Sequence, residues 1–484
     1  MMISTDRDLA DPFTATLSAL DRAHDLARDY LLGLADRPVS RVATAQQMID
    51  ALDEPLPDEG ADPAEAVAEW YRRAEPGIVA SGGPRFFGFV NGGATPAAVA
   101  GDWLASAIDQ NAGPWLSSPA AAQTEWTVLR WLKELFGLPA EWVGGLTTGA
   151  TMANFVGLAT GRQWVGNRLG FDPAADGLGG HPAIPVVSST EIHASTRKAL
   201  AMLGLGRANV RLAPAPGGRV DLSALATLLA EIDGPAIVVA NAGEVNTGAF
   251  DDLAGIADLC AAHPGGAWMH VDGAFGLFAA ASPRYSHLTS GIERADSVAA
   301  DAHKWLNVPY DCGFALIRDG ETLRAAFASS GAYIAPADGL DPFAHVPEMS
   351  RRFRALAAWC ALKSFGRTGY REMVERCCAN AHQFATWVEA APDVELVAPA
   401  PLNIVCFRYR NDGFDDAATD ELNRAAVSAI QADGRTFVTG TVWRGRAAVR
   451  AAFDNWSTTA RDVEILQSVV AEIGHRLDSL RDQD

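Results

Sequence analysis

From about residue 95 to 320, short apolar runs alternate with longer stretches whose apolar positions recur at helical spacing. Ile184 to Val187, Val210 to Ala213, Ala236 to Ala240, Ala267 to Val271, Ser297 to Ala299 and Cys312 to Ile317 predict strands. Leu222 to Ile232 and Leu253 to Ala262 predict helices between some of them. Such alternation predicts right-handed crossovers and a largely parallel sheet covered by helices on both faces. In sheets of this kind, ligands bind beyond the carboxyl ends of the strands.

The flanking regions read differently. Leu17, Leu20, Ala23, Ala27, Tyr30 and Leu31 recur at helical spacing between Pro12 and Pro38, and Pro55 to Pro63 is an acidic linker rich in helix breakers. An arm of this kind buries little surface alone, so a partner subunit is expected against it. After about residue 350, long helices are interspersed with three expected strands, Asn403 to Tyr409, Arg435 to Thr439 and Ala447 to Phe453. A final amphipathic helix carries Val463, Leu466, Val470, Ile473 and Leu477. The expected division is a helical arm (1–94), a large α/β domain (95–348) and a small α+β domain (349–484). No internal repeat or low-complexity tract interrupts it.

Composition narrows the classes. Of 484 residues, 49% are hydrophobic and 20% charged, enough for a large core. Lys and Arg number 39 against 59 Asp and Glu, a net charge of −20. That balance argues against nucleic acid as a partner, which needs clustered basic residues, and against docking on anionic membranes. No apolar run approaches the roughly 20 residues that span a bilayer. The first residues lack the basic and then apolar pattern of a secretory signal. Six cysteines occur without CxxC or metal-ligand spacing, as expected of reduced thiols in a cytoplasmic protein, and no metal is expected.

Chemistry concentrates in two strings, His270-Val271-Asp272-Gly273-Ala274 and Asp301-Ala302-His303-Lys304-Trp305. An aspartate at a strand end is ordinarily a cap or turn residue, and a lone lysine is ordinarily solvated. Here the lysine sits between His303 and Trp305, in surroundings expected to be apolar enough to lower its pKa and free its amine. A carboxylate across a cleft is suited to holding a protonated heterocycle. Together they fit a pyridoxal 5'-phosphate site, with Lys304 forming the Schiff base and Asp272 keeping the pyridine nitrogen protonated.

At these residues the chain resembles the group II pyridoxal-phosphate decarboxylases, the family of aromatic-amino-acid, histidine (pyridoxal-type) and glutamate decarboxylases. The resemblance runs from Phe86-Phe87-Gly88-Phe89 to Trp443-Arg444-Gly445-Arg446. It implies a PLP-dependent transferase-like fold (fold type I), with a mainly parallel seven-stranded sheet and a homodimer whose sites lie at the interface. It also implies decarboxylation of an amino-acid substrate to the amine and CO2. The family's phosphate-binding turn falls on Gly149, Ala150 and Thr151, where small residues let amides at a helix start approach a phosphate. His193 matches the histidine that stacks on the cofactor ring, with Ser195 a phosphate or loop contact. Ala274, Asp301 and His303 complete the expected cofactor contacts. Ala302 stands where proline is common, and the backbone is expected still to present Asp301 towards the phosphate.

Three further positions bear on the outcome. Relatives often carry a threonine hydroxyl where this chain has Val245, and Asn246 or Thr247 is expected to supply the polar contact instead. Phe86 to Asn91 and Asn111 to Ser118 resemble the walls of the substrate pocket, and Asn111 and Gly113 suggest a more open or polar one. Tyr333 matches the tyrosine that helps protonate the substrate carbon after CO2 leaves; aldehyde synthases of the family tend to carry phenylalanine there. Amine is therefore the expected product, with an oxygen-consuming aldehyde synthase as the alternative. A catalytically silent cofactor-binding protein would be expected to have lost Lys304 or Asp272, and both are present. A desulfurase or aminotransferase on the same fold lacks support, because the resemblance extends through the C-terminal motifs.

Overall fold

Strands buried on both faces need mostly apolar residues, and the central strands here have them. The computed structural model describes residues 12–40, 43–327, 340–411 and 413–481. Its large sheet contains β1 (Val143–Thr147), β2 (Val186–Ser189), β3 (Val210–Ala213), β4 (Ala236–Asn241), β5 (Ala267–Asp272), β6 (Ser297–Asp301) and β7 (Gly313–Ile317), in the order β1-β7-β6-β5-β4-β2-β3. Only β7 runs against the others. The sheet is thus mainly parallel and seven-stranded, as expected.

The helices follow in chain order. α1 (Pro12–Gly33), α2 (Ala45–Leu52) and α3 (Pro63–Ala74) form the arm, with residues 53–62 outside regular structure. α4 (Pro96–Ile108) and α5 (Pro119–Phe136) precede the sheet, and α6 (Ala150–Arg168), α7 (Ala194–Met202), α8 (Leu222–Ala230), α9 (Leu253–Ala262) and α10 (Gly320–Phe327) connect or follow its strands. α11 (Ala355–Ala390), which turns at Gly366, leads into α12 (Asp416–Asp433) and α13 (Ala460–Arg481). These last helices pack on a four-stranded antiparallel sheet of β8 (Val394–Leu396), β9 (Ile404–Tyr409), β10 (Thr439–Trp443) and β11 (Arg446–Ala452), ordered β10-β11-β9-β8.

Side chains alternate across the large sheet, and each face has its own core. Ile237 and Val239 of β4 join α6, α7 and α10, whereas Val238 and Ala240 join α5, α8, α9 and α11. A third core lies between the small sheet and α11, α12 and α13. The arm's stripe is not buried: Leu17 is 62% exposed, and Leu20 and Leu31 are each 49% exposed.

Two expectations need correction. Residues 435–438 are not a strand; β10 starts at Thr439. Phe437 instead stacks on Phe86 at 4.6 Å and exchanges backbone hydrogen bonds with Arg85 and Phe87, so aromatic pairing with the N-terminal region takes this segment. β1 is not among the expected strands, and two of its five residues are glycine. At Gly144 a Cβ would lie 2.0 Å from the Ala315 carbonyl, so the close pairing with β7 excludes any side chain there.

Candidate active site

Because β7 alone is reversed, the start of β7 and the ends of its neighbours share one edge. Gly313 is in register with Thr147 at the end of β1 and with Asp301 at the end of β6. A Cβ at Gly313 would lie 2.6 Å from Gly149 Cα, so glycine is what lets the turn after β1 cross here. One strand further, Asp272 ends β5. The loops beyond β5 and β6 are tied together: Gly273 donates to the Ala299 carbonyl at 2.9 Å, and Asp301 donates to that of Ala274 at 3.0 Å. After β6 the amides of Ala302 and His303 both donate to the Cys312 carbonyl at 3.0 Å, and that bend carries Lys304 back across the edge. Lys304, Asp272, His193 and Ala274 consequently line one cavity, together with Val90, Glu244 and Val245. Residues from three separate loops have been brought within reach of one small molecule.

Asp272 accepts hydrogen bonds from three donors. The Thr196 hydroxyl (2.7 Å) and Asn154 Nδ2 (3.0 Å) reach Oδ2, and the Ala274 amide reaches Oδ1 at 3.2 Å. A carboxylate supplied with donors only keeps its charge. It can therefore hold a proton on a basic heterocycle.

Lys304 meets the other acid. Its Nζ lies 3.0 Å from Asp301 Oδ2, and His303 Nε2 lies 3.4 Å from Oδ1. Asp301 is buried and also accepts the Ala150 amide at the start of α6. The apolar surroundings expected of Lys304 are found at its neighbour Trp305, which is fully buried, but its amine faces a carboxylate. Asp301 does sit at the turn expected to take a phosphate. An anion there would repel another, so its geometry makes it the partner of Lys304 and His303 rather than a phosphate ligand. A Cβ at Gly149 would lie 3.2 Å from Asp301 Oδ1 and 3.1 Å from the His303 ring. The absence of a side chain keeps this cradle open, and Ala150 and Thr151 then open α6.

His193 caps α7, its Nδ1 accepting the Ser195 amide at 3.2 Å and lying 2.6 Å from the Ser195 hydroxyl. Burial lowers its pKa, with the positive charges of Lys304 and Arg450 adding to the effect against Asp272 and Asp301. A neutral imidazole results, suited to lying against an aromatic ring. Ser195 thus serves the histidine.

The residues present fit pyridoxal phosphate. They offer an amine for its aldehyde, an anion for its ring nitrogen and a glycine cradle before a helix start. His303 Nδ1 is in addition buried without a hydrogen-bond partner among the described residues.

Other expectations fare differently. Asn246 and Thr247 do not replace a hydroxyl at Val245: Thr247 Oγ1 donates to Glu244 at 2.9 Å, and Asn246 is shared between Glu244 and Thr441. Asn111 does not open the pocket either, since its Oδ1 accepts the Arg351 amide at 2.8 Å. A Cβ at Gly113 would lie 2.3 Å from the Met349 carbonyl, so that glycine serves close packing. Tyr333 lies outside the described residues.

The structure adds two groups that were not foreseen, Arg450 within β11 and Asp454 just beyond its end. Arg450 is buried and donates to the Val245 carbonyl (2.7 Å) and the Phe89 carbonyl (2.6 Å), so the small sheet braces two walls of the cavity. Asp454 is also buried, and its Oδ2 has no hydrogen-bond partner among the described residues. Burial pushes its carboxyl pKa up to about 7, against the pull of Lys304 and Arg450. A charged residue inside an apolar strand was the available signal for Arg450, and one directly after the apolar run for Asp454.

Comparison with known proteins supplies independent information. The model of the pyridoxal-dependent decarboxylase conserved domain matches residues 45–410. An aromatic-L-amino-acid decarboxylase of Bacillus atrophaeus is 32% identical over 462 residues, covering 93% of this chain and 94% of the relative. An L-2,4-diaminobutyrate decarboxylase of Rhizobium meliloti is 32% identical over 502 residues, covering 98% and 96%. The crystal structure of Oryza sativa TDC with PLP and tryptamine superposes with a TM-score of 0.88 at 26% identity, covering 99% of this chain and all of that one.

Proposed function

The chain belongs to the pyridoxal-dependent decarboxylase family, and from that premise we propose that it converts an L-amino acid to the corresponding amine and CO2 as a cytoplasmic homodimer. It is a pyridoxal-phosphate-dependent amino-acid decarboxylase. The observation that carries the reading is the convergence of Lys304, Asp272 and His193 on one cavity. Bound there, pyridoxal phosphate supplies an aldehyde carbon that condenses with amines and a protonated ring that accepts the electron pair left when CO2 departs.

The protein's own groups divide the remaining work. Lys304 is the amine that holds the cofactor and yields it to the substrate. Asp272 keeps a proton on the ring nitrogen, and His193 lies against the ring face. The amide of Ala150 is held by Asp301, so the other amides at the α6 N-terminus would take the phosphate. Tyr333 is the proposed proton donor to the substrate carbon; a phenol can give that proton, whereas a phenyl ring leaves the carbon open to oxygen.

Support for the dimer comes from the exposed leucines of α1 and from Trp103, Leu104 and Ile108 of α4, large apolar side chains that a second copy would cover. Support for the cytoplasm comes from six unpaired cysteines.

The relatives' substrates define the first panel: aromatic amino acids and L-2,4-diaminobutyrate, extended to the other amino acids. CO2, amine, aldehyde and peroxide are read by mass spectrometry. Amine and CO2 in equal amounts are expected, and Tyr333→Phe should shift products towards aldehyde and peroxide. Borohydride reduction should fix the cofactor on Lys304, and Lys304→Ala should lose both the adduct and turnover. An adduct on another residue, or aldehyde as the main wild-type product, would overturn the proposal.

A further inference from the structure

Behind Asp272, away from the cavity, lies a row of buried polar groups that the reaction does not touch. Trp268 Nε1 is 3.0 Å from Ser297 Oγ, Ser297 Oγ is 2.8 Å from His270 Nδ1, and His270 Nε2 is 2.8 Å from Asn154 Oδ1. Asn154 Nδ2 then reaches Asp272 Oδ2 at 3.0 Å. Trp268 is 1% exposed and Ser297, His270 and Asn154 are 0% exposed, so each donor and acceptor must be satisfied within the row.

Direction follows from donor chemistry. An indole nitrogen only donates, so Trp268 gives its proton to Ser297. The serine hydroxyl is then free to donate to His270 Nδ1, which puts the imidazole proton on Nε2. That proton goes to the Asn154 carbonyl oxygen, and the amide's NH2 is left pointing at Asp272. Every bond runs the same way, from an indole that cannot accept to a carboxylate that cannot donate. Reversing the histidine tautomer would turn the Asn154 oxygen towards Asp272, setting two acceptors against each other.

The site for the imidazole is itself built. A Cβ at Gly157, one turn along α6 from Asn154, would lie 2.5 Å from His270 Nδ1, so glycine makes room for the ring. The charge facing the histidine is that of Asp272, and burial outweighs it, lowering the imidazole pKa to about 4. The ring is therefore neutral at physiological pH and has one N–H to place.

We propose that His270 is a positioning residue whose Nε2–H orients the Asn154 amide so that its NH2 donates to Asp272, the carboxylate that would hold the proton on the cofactor ring. The inference rests on the pyridoxal-phosphate reading of the cavity, and its tests separate the two. In cofactor-free protein with 15N-labelled histidine, His270 should show a protonated Nε2 and an unprotonated Nδ1. Cofactor binding plays no part in that measurement, and the opposite tautomer would end the proposal.

In the loaded enzyme, the 15N resonance of bound labelled pyridoxal phosphate reports ring protonation. His270→Leu removes the donor and should move that resonance towards the unprotonated position while kcat falls at least tenfold and KM changes little. His270→Gln retains a side-chain N–H and should restore most of both. Ser297→Ala spares the histidine but frees its tautomer, so it should shift the resonance in the same direction and covers the case in which the leucine variant fails to fold. Equal behaviour of the leucine and glutamine variants, or an unmoved resonance in folded His270→Leu or Ser297→Ala protein, would overturn the inference. A wild-type protein that binds no cofactor would instead overturn the reading beneath it.

Discussion

Asp454 shows how one buried carboxyl couples stability to pH. Its ordinary pKa is 3.8 and burial raises it to about 7, so between those values the folded chain keeps a proton that the unfolded chain releases. Stability from this residue is therefore present at acidic pH and lost as pH rises towards about 7. The effect is on the order of a few kcal/mol for a shift of this size. Asp251 is raised to about 6 for the same reason, so a wild-type profile mixes several groups. The difference between wild type and Asp454→Asn isolates one of them. Urea midpoints from pH 5 to 8 should fall with pH in the wild type and fall clearly less in the variant. Parallel profiles would show that Asp454 does not titrate as described.

Between elements, the tightest joint is an ion pair with both side chains buried. Arg351 Nη2 lies 2.8 Å from Glu125 of α5 and 2.6 Å from the Leu146 carbonyl of β1, while Nη1 reaches the Ala112 carbonyl at 2.8 Å. Removing one partner strands a buried charge at a cost of roughly 3–5 kcal/mol, whereas replacing both with apolar groups can come close to neutral. Arg351→Met should accordingly unfold at a much lower denaturant concentration, and Glu125→Leu with Arg351→Met should recover most of the loss; simple additivity of the single changes would refute this coupling. No reading of the chain anticipates the pair, because its members lie far apart in sequence and neither stands in a motif. The contrast with Asp272 and Lys304 is physical. Their chemistry is carried by short local strings, and strands β4 to β6 are legible because burial on both faces demands largely apolar runs. What stays hidden depends on distant partners: β1 on the closeness of Ala315, Phe437 on Phe86, and the orientation of Asn154 on His270 and Ser297.

At the scale of the molecule, the exposed stripe of α1 has a measurable consequence. If a second copy covers it, folding and association are linked, and dilution should lower the melting temperature. Leu17→Glu with Leu20→Glu should give a species of half the mass by light scattering and reduced activity; a wild type that is already a stable, active monomer would refute the dimer. The reversed strand carries a different kind of consequence. β1 reaches the rest of the sheet only through β7, which is made much later in the chain. Contacts so distant in sequence form slowly, since the intervening chain must first be ordered. During synthesis, a ribosome that has just completed Lys304 has made the reactive amine, Asp272 and the α6 turn, yet the strand that sets Thr147 and Asp301 on either side of Gly313 is still to come. Until residue 317 has left the ribosome, the nascent chain has a lysine but no cleft to put it in.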